Sequence, residues 1–230
     1  MFSLDASLTD SARLAEVTRY DHTHSLLIAQ LDDLAARSAT WTGMPISLVT
    51  LITDTTQLCV GMHGLPDTVT VAGRTFGRFD LPVQGALCAP MIASGHSHIV
   101  PDLRKDPRYA QHPLVTELGL RSYVGVPLIS LTGRPLGGHC VLDFQPRPAD
   151  VTDVLALELG AADALAQLEA RCEPGLLTRS RRSARAEWLS LQAAFRLAAY
   201  DASRVTRSSS GAGGAEQRQA NSRTSVETLG

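Results

Sequence analysis

The chain has 230 residues, of which 44% are hydrophobic, 19% charged and 5% aromatic, and its formal net charge is −2. This composition excludes a collagen-like or wholly disordered protein, and no apolar run approaches the roughly 18 residues of a membrane-spanning helix. Residues 1–170 carry 11 basic and 18 acidic side chains, whereas residues 171–230 carry 10 and 5. Because the body of the chain is acidic, we expect no nucleic acid to bind there.

The first part of the chain is predicted to pass from helices to a hairpin and then to a long loop. Apolar residues at helical spacing predict helices over residues 9–20 and 24–38. Short β-branched runs predict strands over residues 46–52 and 57–62. Residues 63–81 are rich in glycine and predict a long loop with one short strand.

The second part is predicted to alternate between short helices and strands before one long helix. The predicted elements are a helix over 84–93, a strand over 97–100, a loop and helix over 107–118, strands over 121–131 and 136–144, and a helix over 150–172. This order predicts an α+β fold. We expect a central, mainly antiparallel sheet of five or six strands, flanked by N- and C-terminal helices.

The composition changes after the last predicted helix. We therefore divide the chain into a helical lead-in (1–22), a main domain (23–172), a linker with an amphipathic helix (173–202) and a disordered low-complexity tail (203–230). In the amphipathic helix, one face is formed by Trp188, Leu191, Phe195 and Ala198. We expect residues 179–200 to contact the protein's own domain or a signalling partner, with a membrane surface as an alternative because four arginines precede that face.

An ordered set of short motifs resembles the GAF domain family of bacterial signalling proteins. The motifs are GMPISLVTLITD (43–54), ALC (86–88), IASG (92–95), IVPD (99–102), DPR (106–108), LRSYVGVPL (120–128), GRPLGGHCVLD (133–143) and PR (146–147). Gly138 and His139 depart from the pattern, because the family usually has a small polar residue and a leucine there. The resemblance implies helices on one side of the sheet and a pocket on the other, under the loops of residues 62–118. It names no ligand and no cofactor.

The chain lacks the motifs of several enzyme classes. Nucleophile-elbow, phosphate-loop, zinc-protease and kinase signatures are absent from the sequence. The two His-x-His pairs, at 22–24 and 96–98, lack the converging ligands that a metal site needs, so we expect no metal site. The charged run at 102–108 is typical of a solvated turn. We therefore expect no catalytic residues and a non-enzymatic protein.

Cys88 is the cysteine with the strongest case for chemistry. The GAF family includes free methionine sulfoxide reductases, which carry a cysteine near this place and need a second, nucleophilic cysteine before the next strand. Here that segment, residues 115–121, contains none. A thiol-based redox enzyme of this type is therefore the disfavoured alternative, and Cys88 as a small buried side chain is the simpler interpretation. The Cys-His pair of bilin-binding members is also missing, because Gln111 precedes His112.

Four residues are candidates for ligand contact in the implied pocket. They are Cys88, Arg121, Tyr123 and His139. Arg121 and Tyr123 are two apart on one predicted strand and should share a face. We expect a small-molecule ligand, a homodimer and a signalling partner protein. The four cysteines show no disulfide spacing and residues 1–10 show no secretory signal, so we expect a cytoplasmic location.

Overall fold

A computed structural model describes residues 6–171 apart from 79 and 149. The predictions for 173–202 and 203–230, including the amphipathic helix and the disordered tail, lie outside the described residues. The domain boundaries therefore stay predictions.

Five helices are present in the described part of the chain. They are α1 (Ser11–Val17), α2 (Ser25–Thr42), α3 (Ala89–Ser94), α4 (Pro113–Thr116) and α5 (Val151–Ala170). The helix α2 continues one turn beyond its predicted end and is closed by Gly43, whose φ of 66° lies in the left-handed region. The helix α5 begins with a capping box formed by Asp150 and Asp153. The predicted helix over 84–93 is divided into a 3₁₀ turn, Val83–Gly85, and α3, because Ala86 between them is extended.

Eight strands form two sheets. The strands are β1 (Ile46–Ile52), β2 (Thr56–His63), β3 (Thr68–Val71), β4 (Arg74–Gly77), β5 (Leu81–Pro82), β6 (His98–Val100), β7 (Ser122–Ile129) and β8 (Pro135–Asp143). Six of them form an antiparallel sheet in the order β5-β2-β1-β8-β7-β6. The predicted α+β fold with a six-stranded sheet between helices is confirmed.

The predicted long loop contains a hairpin instead of one short strand. Strands β3 and β4 pair in antiparallel register across Ala72 and Gly73. Both of these residues have positive φ, 51° and 69°, as a type I′ turn requires. The alternation of threonine and valine in β3 is a strand signal, but an Ala-Gly turn is a weak hairpin signal because alanine disfavours positive φ.

The two faces of the six-stranded sheet are covered differently. On the face that we call the helix face, α1, α2 and α5 pack on apolar side chains such as Val49, Val124 and Val141. On the opposite face, which we call the pocket face, α3, α4 and the β3–β4 hairpin pack on residues such as Leu48 and Leu142. The apolar stripe predicted for α2 is confirmed, because Leu27, Leu31, Leu34 and Ala35 are all buried on the helix face.

The N-terminal segment is attached to the sheet by a buried arginine. The guanidinium group of Arg13 donates hydrogen bonds to the carbonyl oxygens of Ile52 (2.6 Å), Leu8 (2.6 Å) and Ser7 (3.0 Å). Hydrogen bonds from a charged donor to buried carbonyl groups are among the stronger ones in proteins. Arg13 therefore fixes α1 and the residues before it against the end of β1.

Close packing of α2 on β2 depends on one glycine. A β-carbon at Gly61 would lie 2.7 Å from the carbonyl oxygen and 2.8 Å from the β-carbon of Leu31. Any larger residue would therefore push α2 away from the sheet. Gly77, in β4, offers a matched comparison, because no atom lies within 4 Å of a β-carbon placed there.

We predict that Gly61→Ala lowers the free energy of unfolding by about 1–3 kcal/mol through overpacking against α2. Gly77→Ala should be neutral or slightly stabilising, since glycine weakens a strand relative to alanine. Urea denaturation of the two variants beside the unaltered protein measures both effects. Equal stability of the two variants would contradict the packing that we describe.

Candidate functional site

The centre of the pocket face is a group of sulfur and hydroxyl side chains. Cys88 lies immediately before α3, whereas Tyr123 and Cys140 lie on the adjacent strands β7 and β8. The hydroxyl of Tyr123 donates to the Sγ of Cys88 at 3.3 Å, and the Sγ atoms of Cys88 and Cys140 are 4.0 Å apart. All three side chains are at most 2% exposed. This group joins the α3 segment to the middle of the sheet.

Two glycines allow α3 to approach the sheet. A β-carbon at Gly138 would lie 2.3 Å from the methyl carbon of Met91, and one at Gly125 would lie 2.4 Å from the Tyr123 hydroxyl. Met91, on α3, is fully buried and fills the space above these glycines. The absence of side chains at Gly125 and Gly138 therefore creates room on the pocket face, and Met91 and Tyr123 occupy most of it.

A small cavity remains beside the two cysteines. Its volume is about 10 Å³, which is room for about one water molecule. The lining residues are Leu48, Gln57, Leu81, Leu87, Cys88, Leu114, Tyr123, Cys140 and Leu142. None of these lining residues is charged, and the polar ones are an amide, a phenol and two thiols. The site is therefore apolar with a few convergent polar groups, as small-molecule sites commonly are.

The hydrogen bonds give the two thiols different acidities. The pKa of Cys88 is lowered, first by its hydrogen bond with Cys140 and then by those with Tyr123 and Thr50, against the effect of burial. The pKa of Cys140 is raised well above its usual value by the same sulfur–sulfur hydrogen bond and by burial. Thr50 has one proton, and the Gly138 carbonyl at 3.2 Å is a better acceptor for it than Cys88 at 3.8 Å. Tyr123 is therefore the main hydroxyl donor to Cys88.

The phenol of Tyr123 stays protonated, because burial raises its pKa well above the usual value. It can therefore act as a donor but not as a base at neutral pH. The ring of His98, on the edge strand β6, lies 5.7 Å from the Tyr123 ring, and its Nε2 is hydrogen-bonded to the Tyr109 hydroxyl at 2.8 Å. These aromatic groups close the side of the site nearest the sheet edge.

The four predicted ligand residues do not lie together. Cys88 and Tyr123 are in contact at the centre of the pocket face. Arg121 lies just before β7 and makes a two-pronged ion pair with Asp102, at 3.1 and 3.0 Å. This contact lowers the pKa of the Asp102 carboxyl. Arg121 is therefore satisfied at the rim of the site and does not share the central position of Tyr123.

His139 lies on the opposite side of the sheet, which corrects the expectation that it faces the pocket. It is fully buried on the helix face, where its Nδ1 is 3.2 Å from the Leu157 carbonyl oxygen and its Nε2 is 3.4 Å from the Ser47 hydroxyl. Since a carbonyl only accepts, Nδ1 carries the proton and Nε2 accepts from Ser47. Gly160 of α5 makes room for the ring, because a β-carbon there would lie 2.2 Å from His139 Cε1.

Sequence reasoning missed three residues that complete the site. Cys140, Met91 and Thr50 all contact the group around Cys88 and Tyr123. Cys140 follows His139, so strand alternation alone requires these two side chains to face opposite sides. That signal was present in the sequence. The proximity of Cys140 to Cys88, 52 positions earlier, was not.

A second, larger cleft lies away from this site. It has a volume of about 440 Å³ and lies between α1 and the turn that joins β1 to β2. Its polar groups are Asp54 and four threonines, all exposed or partly exposed. They make no convergent buried arrangement, so we do not assign a function to this cleft. Within residues 6–171, apart from the two gaps, no group of three or more histidine, cysteine or acidic side chains is arranged to hold a metal ion.

Comparison with known proteins agrees with the topology and with the ordered motifs. The GAF domain family model matches residues 14–168, which is more than half of the chain. The chain belongs to the GAF domain family. Over 129 residues it is 30% identical to a cyclic di-GMP phosphodiesterase of Pseudomonas aeruginosa, a match that covers 55% of this chain. The chain spans only 20% of the length of that curated relative.

Two solved GAF domains show the same fold at low sequence identity. The GAF domain of an Acinetobacter phosphoenolpyruvate-protein phosphotransferase aligns with a TM-score of 0.53 and 16% identity, covering 75% of this chain and 96% of that domain. A GAF domain region from Geobacter sulfurreducens aligns with a TM-score of 0.51 and 15% identity, covering 63% of this chain and 93% of that region. In the part of this GAF protein that the structure describes, no helix is both long enough and apolar enough to cross a membrane.

We predict that His139 makes the protein less stable as the pH falls from 6.5 to 4. Burial lowers the pKa of His139 from 6.5 to about 4 in the folded state. The unfolded chain therefore binds a proton in this range that the folded protein excludes, and the loss of stability should be on the order of 3 kcal/mol. Chemical denaturation at a series of pH values measures it.

A pair of variants isolates this effect. His139→Asn keeps a donor for the Leu157 carbonyl but does not titrate, so its stability should change much less between pH 6.5 and 4. His63→Asn, at an exposed position at the end of β2, should retain the full dependence. If His139→Asn loses as much stability on acidification as the unaltered protein, the buried histidine is not the cause.

Proposed function

We propose that this GAF protein is a non-enzymatic sensory module that binds a small molecule on its pocket face, dimerises and signals to a partner protein. The observation that carries the proposal is the group of buried polar side chains, Tyr123, Cys88, Cys140 and Gln57, inside an otherwise apolar lining. GAF domains are generally sensory, which supports the same conclusion. The three described cysteines form no disulfide bond, which fits a cytoplasmic location.

The chemistry of the lining favours an uncharged, mainly apolar ligand. No charged side chain lines the cavity, and Asp102 and Arg121, just before β7, are already paired with each other. A charged ligand would lose its hydration without finding a counter-ion. A ligand with one or two hydrogen-bonding groups would find Tyr123 and the Gln57 amide.

Ligand entry requires the α3 segment to move. The cavity of about 10 Å³ holds only about one water, so a larger molecule has to displace the covering segment, which contributes Leu87 and Cys88 to the lining and continues into α3 with Met91. This movement is feasible because α3 has only six residues and is bounded by an extended residue, Ala86, and by Gly95 in the left-handed conformation. A ligand that binds the open arrangement more tightly would shift the population toward it.

The helix face supplies a route for the signal. The helices α2 and α5 lie side by side and are joined by an ion pair between Arg37 and Asp163 at 3.2 Å. Both helices pack directly on the strands whose other face forms the site. We propose that displacement on the pocket face changes this helix layer, which then contacts a partner protein through segment 179–200.

An enzymatic role is not part of this proposal. The phosphodiesterase relative matches this chain over a fifth of its own length, and we propose that the shared part regulates rather than catalyses. Residues 115–121 contain no cysteine, so the second thiol expected of a free methionine sulfoxide reductase is missing from its place. We therefore propose that the protein does not act as such a reductase.

The ligand site is tested with indole, an uncharged aromatic probe. Met91→Ala removes the side chain that fills the site, and we predict that this variant binds indole at least tenfold more tightly than the unaltered protein, because new apolar space becomes available. Calorimetric titration measures the affinity. In NMR spectra, the amide signals of α2 and α5 should also shift.

Met62→Ala is the matched control, because Met62 belongs to the same apolar cluster as Met91 but lies on β2, whereas Met91 contacts Tyr123 and lies over Gly138. It should give no gain in affinity. Indole-3-acetate, which carries a charge, should bind Met91→Ala more weakly than indole. Equal gains in both alanine variants, or tighter binding of the charged probe, would contradict the proposed site.

The dimer is tested at the exposed end of α2. Leu26 is 64% exposed, Ile28 and Leu155 are partly exposed, and Leu159 is buried. We predict that light scattering gives a dimer mass and that Leu26→Glu weakens dimerisation at least tenfold. Phe144→Glu is the control, because Phe144 is 48% exposed but lies outside both helices. A monomer mass at protein concentrations well into the tens of micromolar would refute the dimer.

A further inference from the structure

The two buried thiols of the pocket face are placed to react with each other. Cys88 and Cys140 are separated by 4.0 Å between their Sγ atoms, and a disulfide bond is about 2.05 Å long. The sulfurs therefore need to approach by about 2 Å. Cys140 is fixed in the central strand β8, whereas Cys88 lies in the covering segment between the 3₁₀ turn and α3. The approach can come from the covering segment without disturbing the sheet.

The surroundings of the pair assign different roles to the two sulfurs. Cys88 accepts a hydrogen bond from the Tyr123 hydroxyl at 3.3 Å and can accept one from the Cys140 thiol. Both bonds stabilise the Cys88 thiolate, which is the reactive form of a cysteine. The Tyr123 hydroxyl also interacts with Cys140, but the contact with Cys88 and burial raise the pKa of Cys140, whereas the pKa of Cys88 is lowered. Cys88 is therefore the nucleophile, and Cys140 is the thiol that resolves the product.

The small cavity gives a reactant access to both sulfurs. Cys88 and Cys140 both line the space of about 10 Å³ beside them. A hydroperoxide has only two oxygen atoms at its reactive end, so a slight displacement of the α3 segment would admit it. The other described cysteine, Cys59, offers no such arrangement, because its thiol donates to the Gly61 carbonyl at 3.3 Å and burial raises its pKa.

We propose that Cys88 and Cys140 form a redox modification site, at which a hydroperoxide is reduced and an intramolecular disulfide is formed. This inference goes beyond the proposed sensory function and requires no ligand. Its consequence is that the α3 segment becomes covalently tied to β8. Since ligand entry needs that segment to move, the disulfide closes the pocket face.

The reaction balances with hydrogen peroxide as the oxidant. The Cys88 thiolate attacks one oxygen, the O–O bond breaks, and the departing hydroxide takes a proton and leaves as water. Cys88 is then a sulfenic acid. The Cys140 sulfur attacks the Cys88 sulfur, the S–O bond breaks, and the departing oxygen leaves as a second water with the Cys140 proton. The two thiols lose two electrons and the peroxide gains them. A dithiol reductant restores both thiols by exchange.

The site is tested by mapping disulfides in the full chain. The reduced protein is treated with hydrogen peroxide, its remaining thiols are alkylated, and it is digested with trypsin without reduction. The Arg-Pro bonds after Arg134 and Arg147 resist trypsin, so the four cysteines fall in separate peptides, 38–74, 79–104, 122–171 and 172–179. We predict a link between 79–104 and 122–171, the loss of two of the four thiols, and full recovery with dithiothreitol.

Three variants test the assigned roles. Cys140→Ser should stop the reaction at a Cys88 sulfenic acid that dimedone labels, and Cys59→Ser should leave the link unchanged. Tyr123→Phe should slow oxidation at least fivefold and move the pH midpoint of Cys88 alkylation upward, since it removes the hydroxyl donor. Circular dichroism and thermal unfolding establish that each variant is folded.

The mapping of the unaltered protein decides the proposal even if a variant fails to fold. Free thiols at Cys88 and Cys140 after peroxide treatment would overturn it. So would a link that forms at the same rate in guanidinium chloride, because the folded geometry would then contribute nothing. Interchain disulfides through Cys172 without the intramolecular link would overturn it as well.

Discussion

The complete burial of β1 is the constraint on which the rest of the structure depends. All seven residues from Ile46 to Ile52 are buried, so both faces of the sheet have to be covered. The two polar side chains within the strand are accommodated one on each face. Ser47 faces the helices and contacts His139, whereas Thr50 faces the pocket and contacts the Gly138 carbonyl. Each polar group is hydrogen-bonded, which is the condition for burying it without a large loss of stability.

The helices that cover the two faces of the sheet differ in length and therefore in how easily they can be displaced. The helix face is covered by α2 and α5, with 18 and 20 residues, and a long amphipathic helix gains stability from a continuous apolar stripe. The pocket face is covered by α3 and α4, with six and four residues, and by a short hairpin. Short helices have little stability of their own. The side of the sheet that contains Cys88, Tyr123 and Cys140 is therefore also the side whose covering can be displaced locally.

Much of the fold could be predicted from the sequence because its signals are local. The β-branched run of β1 and the apolar stripes of α2 and α5 depend on residues within one element. The β3–β4 hairpin was not predicted, since its Ala-Gly turn relies on an alanine at positive φ. There the pairing of the flanking strands and the burial of Val69 and Val71 outweigh a local preference.

The site was predicted less well because it depends on register and tertiary contact. Cys88 and Tyr123 were both assigned to the pocket face, where they lie in contact, but His139 was assigned to the wrong face. The pairing register of β8 places His139 on the helix face and the next residue, Cys140, on the pocket face. Arg121 is two residues before Tyr123 and would share its face in a regular strand. It lies just outside the strand, however, where it forms an ion pair with Asp102. No pattern within one segment reveals that ion pair.

The alternation of β1 also has an evolutionary consequence. Leu48, Thr50 and Ile52 face the pocket, whereas Val49 and Leu51 face the helices. Substitutions at one set of positions can alter the lining of the cavity while the packing of the helix layer is conserved. Substitutions at the other set can alter the helix layer without touching the pocket face. One strand of seven residues thus allows the two faces of the domain to diverge independently among descendants of the same ancestral domain.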